Sequence, residues 1–375
     1  LVYEYADFRS TIENSGIFVE KYSSTPKLIT NYINALQRTV EQLEGKNGWV
    51  RGELYDQLTG QVSLNPDIGN NHFIVKIANR LNDFKKLSDR CSKESPYLKQ
   101  AIARRFIDEY LAKLIQKGIN KFFFESGSSL AFVSEAFIDC LNENRQQGKR
   151  WATLPSDFKI HTNNILTYMD FALSERVNIE LYPYGPPEPT YGATFGPLIE
   201  LEPPSHPKNP GEMYEKFELN LKKEADEKAS KITEWFENTY ENNGIILMAA
   251  SGVDLNKNGF YGPHVSSFYN MLFKRAILKA KRPTIMFLDQ NKLPMNYNPD
   301  KCYPVCDKEL TWKNICTTNP FGIAVAMDQS EKEEIKDILI ELGLKPKEGI
   351  DNDIHGQEVS TVIATNAIFD KEIWN

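Results

Sequence analysis

The chain has 375 residues and a formal net charge of −7, enough length for two domains or for one large domain with insertions. The acidic balance gives no general pull toward nucleic acid or anionic membrane, and no stretch approaches the roughly 20 apolar residues of a membrane span. The five cysteines at 91, 140, 302, 306 and 316 are odd in number and scattered, which does not suit a secreted disulfide framework and leaves a reducing cytoplasm as the expected location.

The chain starts at Leu1 rather than Met, which leaves room for an upstream segment, and its acidic first residues lack the basic flank of a signal peptide. Residues 1–95 read as a helical region. Leu28, Ile29, Tyr32, Ile33, Leu36, Val40 and Leu43 recur at helical steps, and a second helix is predicted over Ile74–Leu87. The first of these helices carries few basic residues, so DNA binding is not expected, and support of packing or self-association is.

From residue 96 onward short apolar runs alternate with amphipathic ones. Strands are predicted at Lys121–Phe124, Phe158–His161, Asn178–Tyr182, Gly244–Ala249, Thr284–Leu288, Gly322–Met327 and Val359–Ala364. Helices are predicted at Tyr97–Lys117, Ser129–Leu141, Asn164–Ser174, Pro210–Asn243, Pro263–Lys281 and Glu331–Leu344. This alternation predicts one α/β domain over 96–375, a mostly parallel sheet flanked by helices. Residues 203–243 and 291–319 read as insertions, the second irregular.

In open α/β sheets, ligands sit beyond the carboxyl ends of the strands. The loop after the first strand, Glu125-Ser126-Gly127-Ser128-Ser129, offers hydroxyls and a glycine at a helix N-terminus, where N–H groups lack internal partners and the helix dipole favours an anion. The plain alternative is that Ser126 caps the helix. Other strand ends supply His161-Thr-Asn-Asn164, Gly185 with Phe195-Gly-Pro197, Gly252-Val-Asp254 and Asp289-Gln-Asn-Lys292. His161 reads as a hydrogen-bonded structural histidine, and His264 as part of a helix start.

Taken in order, these segments resemble the effector-binding domain of DeoR-type bacterial regulators, in the wider group of ribose-5-phosphate isomerase and CoA-transferase-like folds. Glu125-Ser-Gly-Ser-Ser129 resembles the family's Asp-Ser-Gly-Thr-Thr turn. His161-Thr-Asn-Asn164 resembles its Val-Thr-Asn-Ser, Gly252-Val-Asp254 followed by Lys274 its Gly-Ile-Asp turn and helix lysine, and Asp289-Gln-Asn-Lys292 its closing Asp-x-Ser-Lys. Glu125 departs from the family's Asp, Gly185 lacks a second glycine, and residues 1–95 show no winged helix-turn-helix. The resemblance implies a sensor of a phosphorylated metabolite, a sugar phosphate or nucleotide-like signal, that passes its state to a protein partner or a second copy of the chain. It implies a site built from Ser126, Gly127, Ser128, Ser129, Thr162, Asn163, Gly185, Gly252, Asp254, Lys274, Asp289 and Lys292.

The alternative is an isomerase-like or CoA-transferase-like enzyme acting on a sugar phosphate or acyl donor, in which Glu125 is the candidate base. No cofactor is expected, because no dinucleotide fingerprint and no phosphate-loop lysine motif occurs. No metal is expected either. Asp254 to Gly259 imitates the opening of a calcium loop, but its twelfth position is Val265, and Cys302-x3-Cys306 lacks a second close pair.

Overall fold

The computed structural model describes residues 95–146, 154–164, 167–168, 171, 177–183, 187–188, 193–202, 222–254, 262–293, 302–306, 310–352 and 358–374. The chain divides into two compact units, Leu1–Pro96 with Pro189–Gly192, and Tyr97–Glu188 with Ala193–Asn375. All described residues except Ser95 and Pro96 belong to the second unit. The helices expected at 26–43 and 74–87, Gly185, and residues 203–221 lie outside the described residues.

The described chain opens with one helical run: α1 (Pro96–Phe106), a π-helical turn over Ile107–Leu111, and α2 (Ala112–Gln116). β1 (Lys121–Phe124) leads to α3 (Ser128–Gln146), and β2 (Lys159–Thr162) and β3 (Asn178–Leu181) follow. After the short pair β4 (Pro187–Glu188) and β5 (Ala193–Thr194) come α4 (Lys222–Thr239) and β6 (Gly244–Ala249). β7 (Gly252–Asp254) and β8 (Gly262–Val265) precede α5 (Phe268–Lys279) and β9 (Thr284–Asp289). β10 (Tyr303–Pro304), α6 (Trp312–Thr318), β11 (Phe321–Met327), α7 (Lys332–Glu341), β12 (Lys345–Asn352), β13 (Glu358–Thr365) and the turn α8 (Ala367–Phe369) complete the order.

The main sheet has eight strands in the order β12-β13-β11-β9-β6-β1-β2-β3. β3, β2, β1, β6, β9 and β11 run parallel, and β13 joins β11 antiparallel. This is the mostly parallel α/β sheet that the alternating pattern predicts. The short strands β4, β5, β7 and β10 were not expected, and three further differences have a plain cause. Pro263 and His264 lie in β8 rather than in a helix, because the helix waits for the Ser267 cap, whose hydroxyl accepts from the Asn270 N–H. β12 is a further strand, which its mixed charge conceals. Within the stretch expected to be irregular, residues 312–318 form α6, capped by the Thr311 hydroxyl.

β1 shows why three consecutive phenylalanines make a central strand. Side chains alternate across a sheet, so each face receives aromatic surface. Phe122 and Phe124 meet Phe137 of α3, and Phe124 also meets Phe171 at 5.2 Å between ring centroids. Phe123 meets Phe236 of α4 at 4.8 Å and Phe273 of α5 at 6.0 Å. All three phenylalanines are fully buried, each contributing roughly 1.5–3 kcal/mol of transfer free energy. On the α3 face, α1 sets Phe106 edge-on against Phe287 of β9 at 5.1 Å. On the opposite face, Ile335 and Leu339 of α7 line one small void with Leu288, Ile323 and Val325.

The small sheet β10-β8-β7 is fastened to α5 through Arg275, which donates to the carbonyls of Val305 (2.8 Å) and Pro304 (3.1 Å). Arg105 of α1 reaches the far edge of the main sheet, donating to the Thr361 hydroxyl and to the carbonyls of Thr361 and Lys347. Gly349 makes room for it, since a Cβ there would stand 2.6 Å from the guanidinium carbon.

Candidate functional site at the carboxyl edge of the sheet

The ladder of β1 continues for one residue, as the Glu125 N–H donates to the Leu247 carbonyl at 2.9 Å. Glu125 therefore projects to the same face as Phe123, where α5 lies. There its carboxylate is ion-paired with Lys274, and both side chains are essentially free of solvent. The Ser126 hydroxyl donates to Glu125 Oε1 at 2.7 Å, and the Ala249 N–H donates to Oε2 at 3.4 Å. A buried pair needs such supplementary hydrogen bonds to offset desolvation. Burial lowers the Lys274 pKa, the Glu125 carboxylate opposes this, and Lys292 adds a smaller lowering effect.

The first intrahelical acceptor of α3 is the Gly127 carbonyl, which takes the N–H groups of Leu130 (3.1 Å) and Ala131 (3.3 Å). Gly127 thus occupies the capping position and the Ser126 hydroxyl serves Glu125, so the cap reading of Ser126 gives way. A Cβ on Gly127 would lie 2.9 Å from the Ala249 Cβ, so a glycine lets this loop rest on the end of β6. The N–H groups of Ser128 and Ser129 precede this first intrahelical bond.

The loop after β9 turns Lys292 back toward this helix start. Asp289 Oδ1 accepts the Asn291 N–H at 3.2 Å, while Lys292 Nζ donates to Ser129 Oγ at 3.1 Å and lies 3.7 Å from Asp289 Oδ2. Beyond β2, the Thr162 hydroxyl donates to the Phe124 carbonyl at 2.6 Å and accepts the Asn164 N–H at 3.0 Å. Its neighbour differs. The Asn163 carbonyl accepts the Thr194 N–H at 2.8 Å, yet both polar atoms of the wholly buried Asn163 carboxamide lack a hydrogen-bond partner among the described residues. Phe124 stands opposite Thr162 in the parallel register, so Asn163 and Glu125 occupy neighbouring positions at the strand ends.

The structure therefore gathers Glu125, Ser126, Gly127, Ser129, Lys274, Asp289 and Lys292 through direct contacts at or behind one sheet edge, with Ser128 in the first turn of α3 and Thr162 and Asn163 on the adjoining strand end. Gly252 and Asp254 lie in β7, paired with His264 and Gly262 in the small sheet. Gly185 is outside the described residues. Sequence reasoning missed Ala249, whose contribution to Glu125 is a main-chain N–H, and a main-chain donor leaves no mark in a sequence. His161 is built into the α4 face, with Nδ1 2.8 Å from the Tyr240 hydroxyl and Nε2 3.5 Å from Glu180. Burial lowers its pKa to about 4, with Glu180 acting in the opposite direction. Among the described residues, no group of three or more His, Cys, Asp or Glu is placed to hold a metal ion, and no helix is long and apolar enough to cross a membrane.

No family model and no curated protein matches the chain. Among solved structures it is similar to ribose 5-phosphate isomerase from Plasmodium falciparum, at 11% identity over 72% of this chain and 77% of that one, with a TM-score of 0.28. It is similar to eIF2B delta from Chaetomium thermophilum, at 11% identity over 76% and 78%, with a TM-score of 0.27. A third similarity is to the translation initiation factor eIF-2B of Pyrococcus horikoshii OT3, at 9% identity over 96% and 91%, again with a TM-score of 0.27. At these scores the likenesses carry none of the functional argument.

Proposed function

We propose that the carboxyl edge of the main sheet binds a phosphorylated small metabolite, and that the domain acts as a sensor. The carrying observation is the Asn163 carboxamide, fully buried with neither its donor nor its acceptor satisfied by the described residues. Buried polar groups left unpaired cost about 1–3 kcal/mol each, and a ligand that satisfies them removes that cost. Lys292, Ser129 and the N-terminus of α3 supply the donors and positive potential that suit a phosphate. Asp289 and Asn163 supply groups that suit hydroxyls.

The state of Glu125 favours a sensor over the isomerase-like alternative. Both of its oxygens are engaged inside the protein, by Ser126 on one side and by Lys274 and Ala249 on the other. A carboxylate so engaged braces the loop and is not placed to take a substrate proton. The ordered resemblance to DeoR-type effector domains points the same way. The reading is tested by calorimetry with a panel of pentose and hexose phosphates, and by native mass spectrometry of freshly purified protein for a retained ligand. Stoichiometric binding without turnover is the expected result. Catalytic interconversion of a sugar phosphate, lost in Glu125→Gln, would establish the enzyme instead.

A further inference from the structure

Asn270 sits in the first turn of α5, is 6% exposed, and its Oδ1 has no hydrogen-bond partner among the described residues. It precedes Lys274 by four residues, so the two share one stripe of the helix. α5 ends shortly before β9 begins at the amino edge of the sheet, so its N-terminal turn lies toward the carboxyl edge. Asn270 is therefore one helical turn nearer that edge than the Lys274–Glu125 pair.

An independent path leads from Asn163 to the same turn. The Asn163 carbonyl accepts the Thr194 N–H, and the next residue, Phe195, stacks on Tyr269 of α5 at 6.3 Å and meets Phe273 at 5.9 Å. β5 thus ties the strand end bearing one unsatisfied carboxamide to the helical turn bearing the other. The unmet groups here have a bias. Among the described residues these two side chains leave two acceptors without a hydrogen-bond donor, Asn163 Oδ1 and Asn270 Oδ1, against a single unmet amide donor, Asn163 Nδ2.

We propose that Asn270, together with Asn163, reads the hydroxyl groups of the bound metabolite, which makes the site selective for a polyol phosphate over a ligand poor in hydroxyls. An acceptor-rich wall calls for a ligand that brings O–H donors, and a site built to bond a hydroxyl rejects the analogue lacking it, because its own buried groups are then left unpaired. This inference rests on the site proposed above. It adds a residue outside the motif set and separates polyol phosphates from nucleotide-like and acyl ligands.

The test is titration calorimetry of the full chain with ribose 5-phosphate, glucose 6-phosphate and inorganic phosphate, alongside thermal melts without ligand. Wild type should prefer a sugar phosphate to inorganic phosphate. Asn270→Leu, near-isosteric and apolar, should lose at least tenfold in sugar-phosphate affinity, bind inorganic phosphate as before, and melt no lower than wild type, since it removes an unsatisfied group. Asn270→Ala is the second variant should leucine not fit. Wild type that binds none of the three probes overturns the site itself, and this inference with it. Wild type that binds a sugar phosphate, with both variants binding it equally well, overturns the role of Asn270 alone. Variants that melt far below wild type and lose inorganic phosphate as well show a structural residue and also overturn it.

Discussion

The Glu125 carboxylate and the Lys274 ammonium, 149 positions apart in the sequence, meet in the interior and neutralise each other behind the proposed ligand loop. Removing one partner of such a pair leaves a buried charge without its counterpart. Glu125→Gln or Lys274→Met alone should therefore cost about 3–5 kcal/mol in urea unfolding. The double replacement Glu125→Leu with Lys274→Met should recover most of that loss. Single variants as stable as wild type would mean that the pair is not closed in solution.

Gly127 and Ala249 form a second test of the same loop. The 2.9 Å approach of a Cβ on Gly127 to the Ala249 Cβ means that Gly127→Ala overpacks the strand end. Its expected cost is about 1–3 kcal/mol. Adding Ala249→Gly removes the clashing carbon, and a double-mutant cycle should show coupling of at least about 0.5 kcal/mol between the two sites. Additive effects would place the loop elsewhere.

Ligand affinity should depend on Lys292 more than on Ser129. A charge-assisted hydrogen bond contributes roughly 1.5–3 kcal/mol, so Lys292→Met should weaken phosphate-ester binding by about ten- to a hundredfold. Ser129→Ala, which removes the group that orients Lys292, should cost less. Calorimetry on variants with unchanged melting curves decides this, and equal affinity for wild type and Lys292→Met would remove the lysine from the site.

His161 should make the protein acid-sensitive. Its folded pKa is lowered to about 4 from 6.5, so the unfolded chain binds this proton more tightly than the folded protein. Its contribution is therefore complete above the unfolded value and is lost as pH falls from about 6.5 to about 4, by up to roughly 3 kcal/mol. Urea midpoints across that range should fall for wild type and fall less steeply for His161→Gln. Parallel pH profiles for the two would assign the acid sensitivity to other groups.

The middle of the sheet was legible because β1, β6, β9 and β11 are buried on both faces and read as apolar runs, Phe122–Phe124 most plainly. β12 was not, because its charged side chains carry no strand period that hydrophobicity reveals. The loops that follow the strands could be located in the sequence, since parallel strands deliver their following loops to one edge. Their division of labour could not. Whether Ser126 caps a helix or serves a carboxylate depends on Lys274, which is brought to Glu125 only by the packing of α5. Asn270 was invisible for the same reason: nothing within its own helix distinguishes an unsatisfied amide from a satisfied one.

Lys274 and Arg275 are consecutive on α5, yet one grips Glu125 at the base of the Ser126–Ser129 loop and the other holds Pro304 and Val305 at the rim of the small sheet. Consecutive helical side chains point about 100° apart, so the helix works as a spindle with an arm to each side. The two grips cannot shift independently while the helix stays intact. A rotation of α5 that relieves or tightens the Glu125 contact also swings the strand at Pro304, much as the hand of a dial follows its axle.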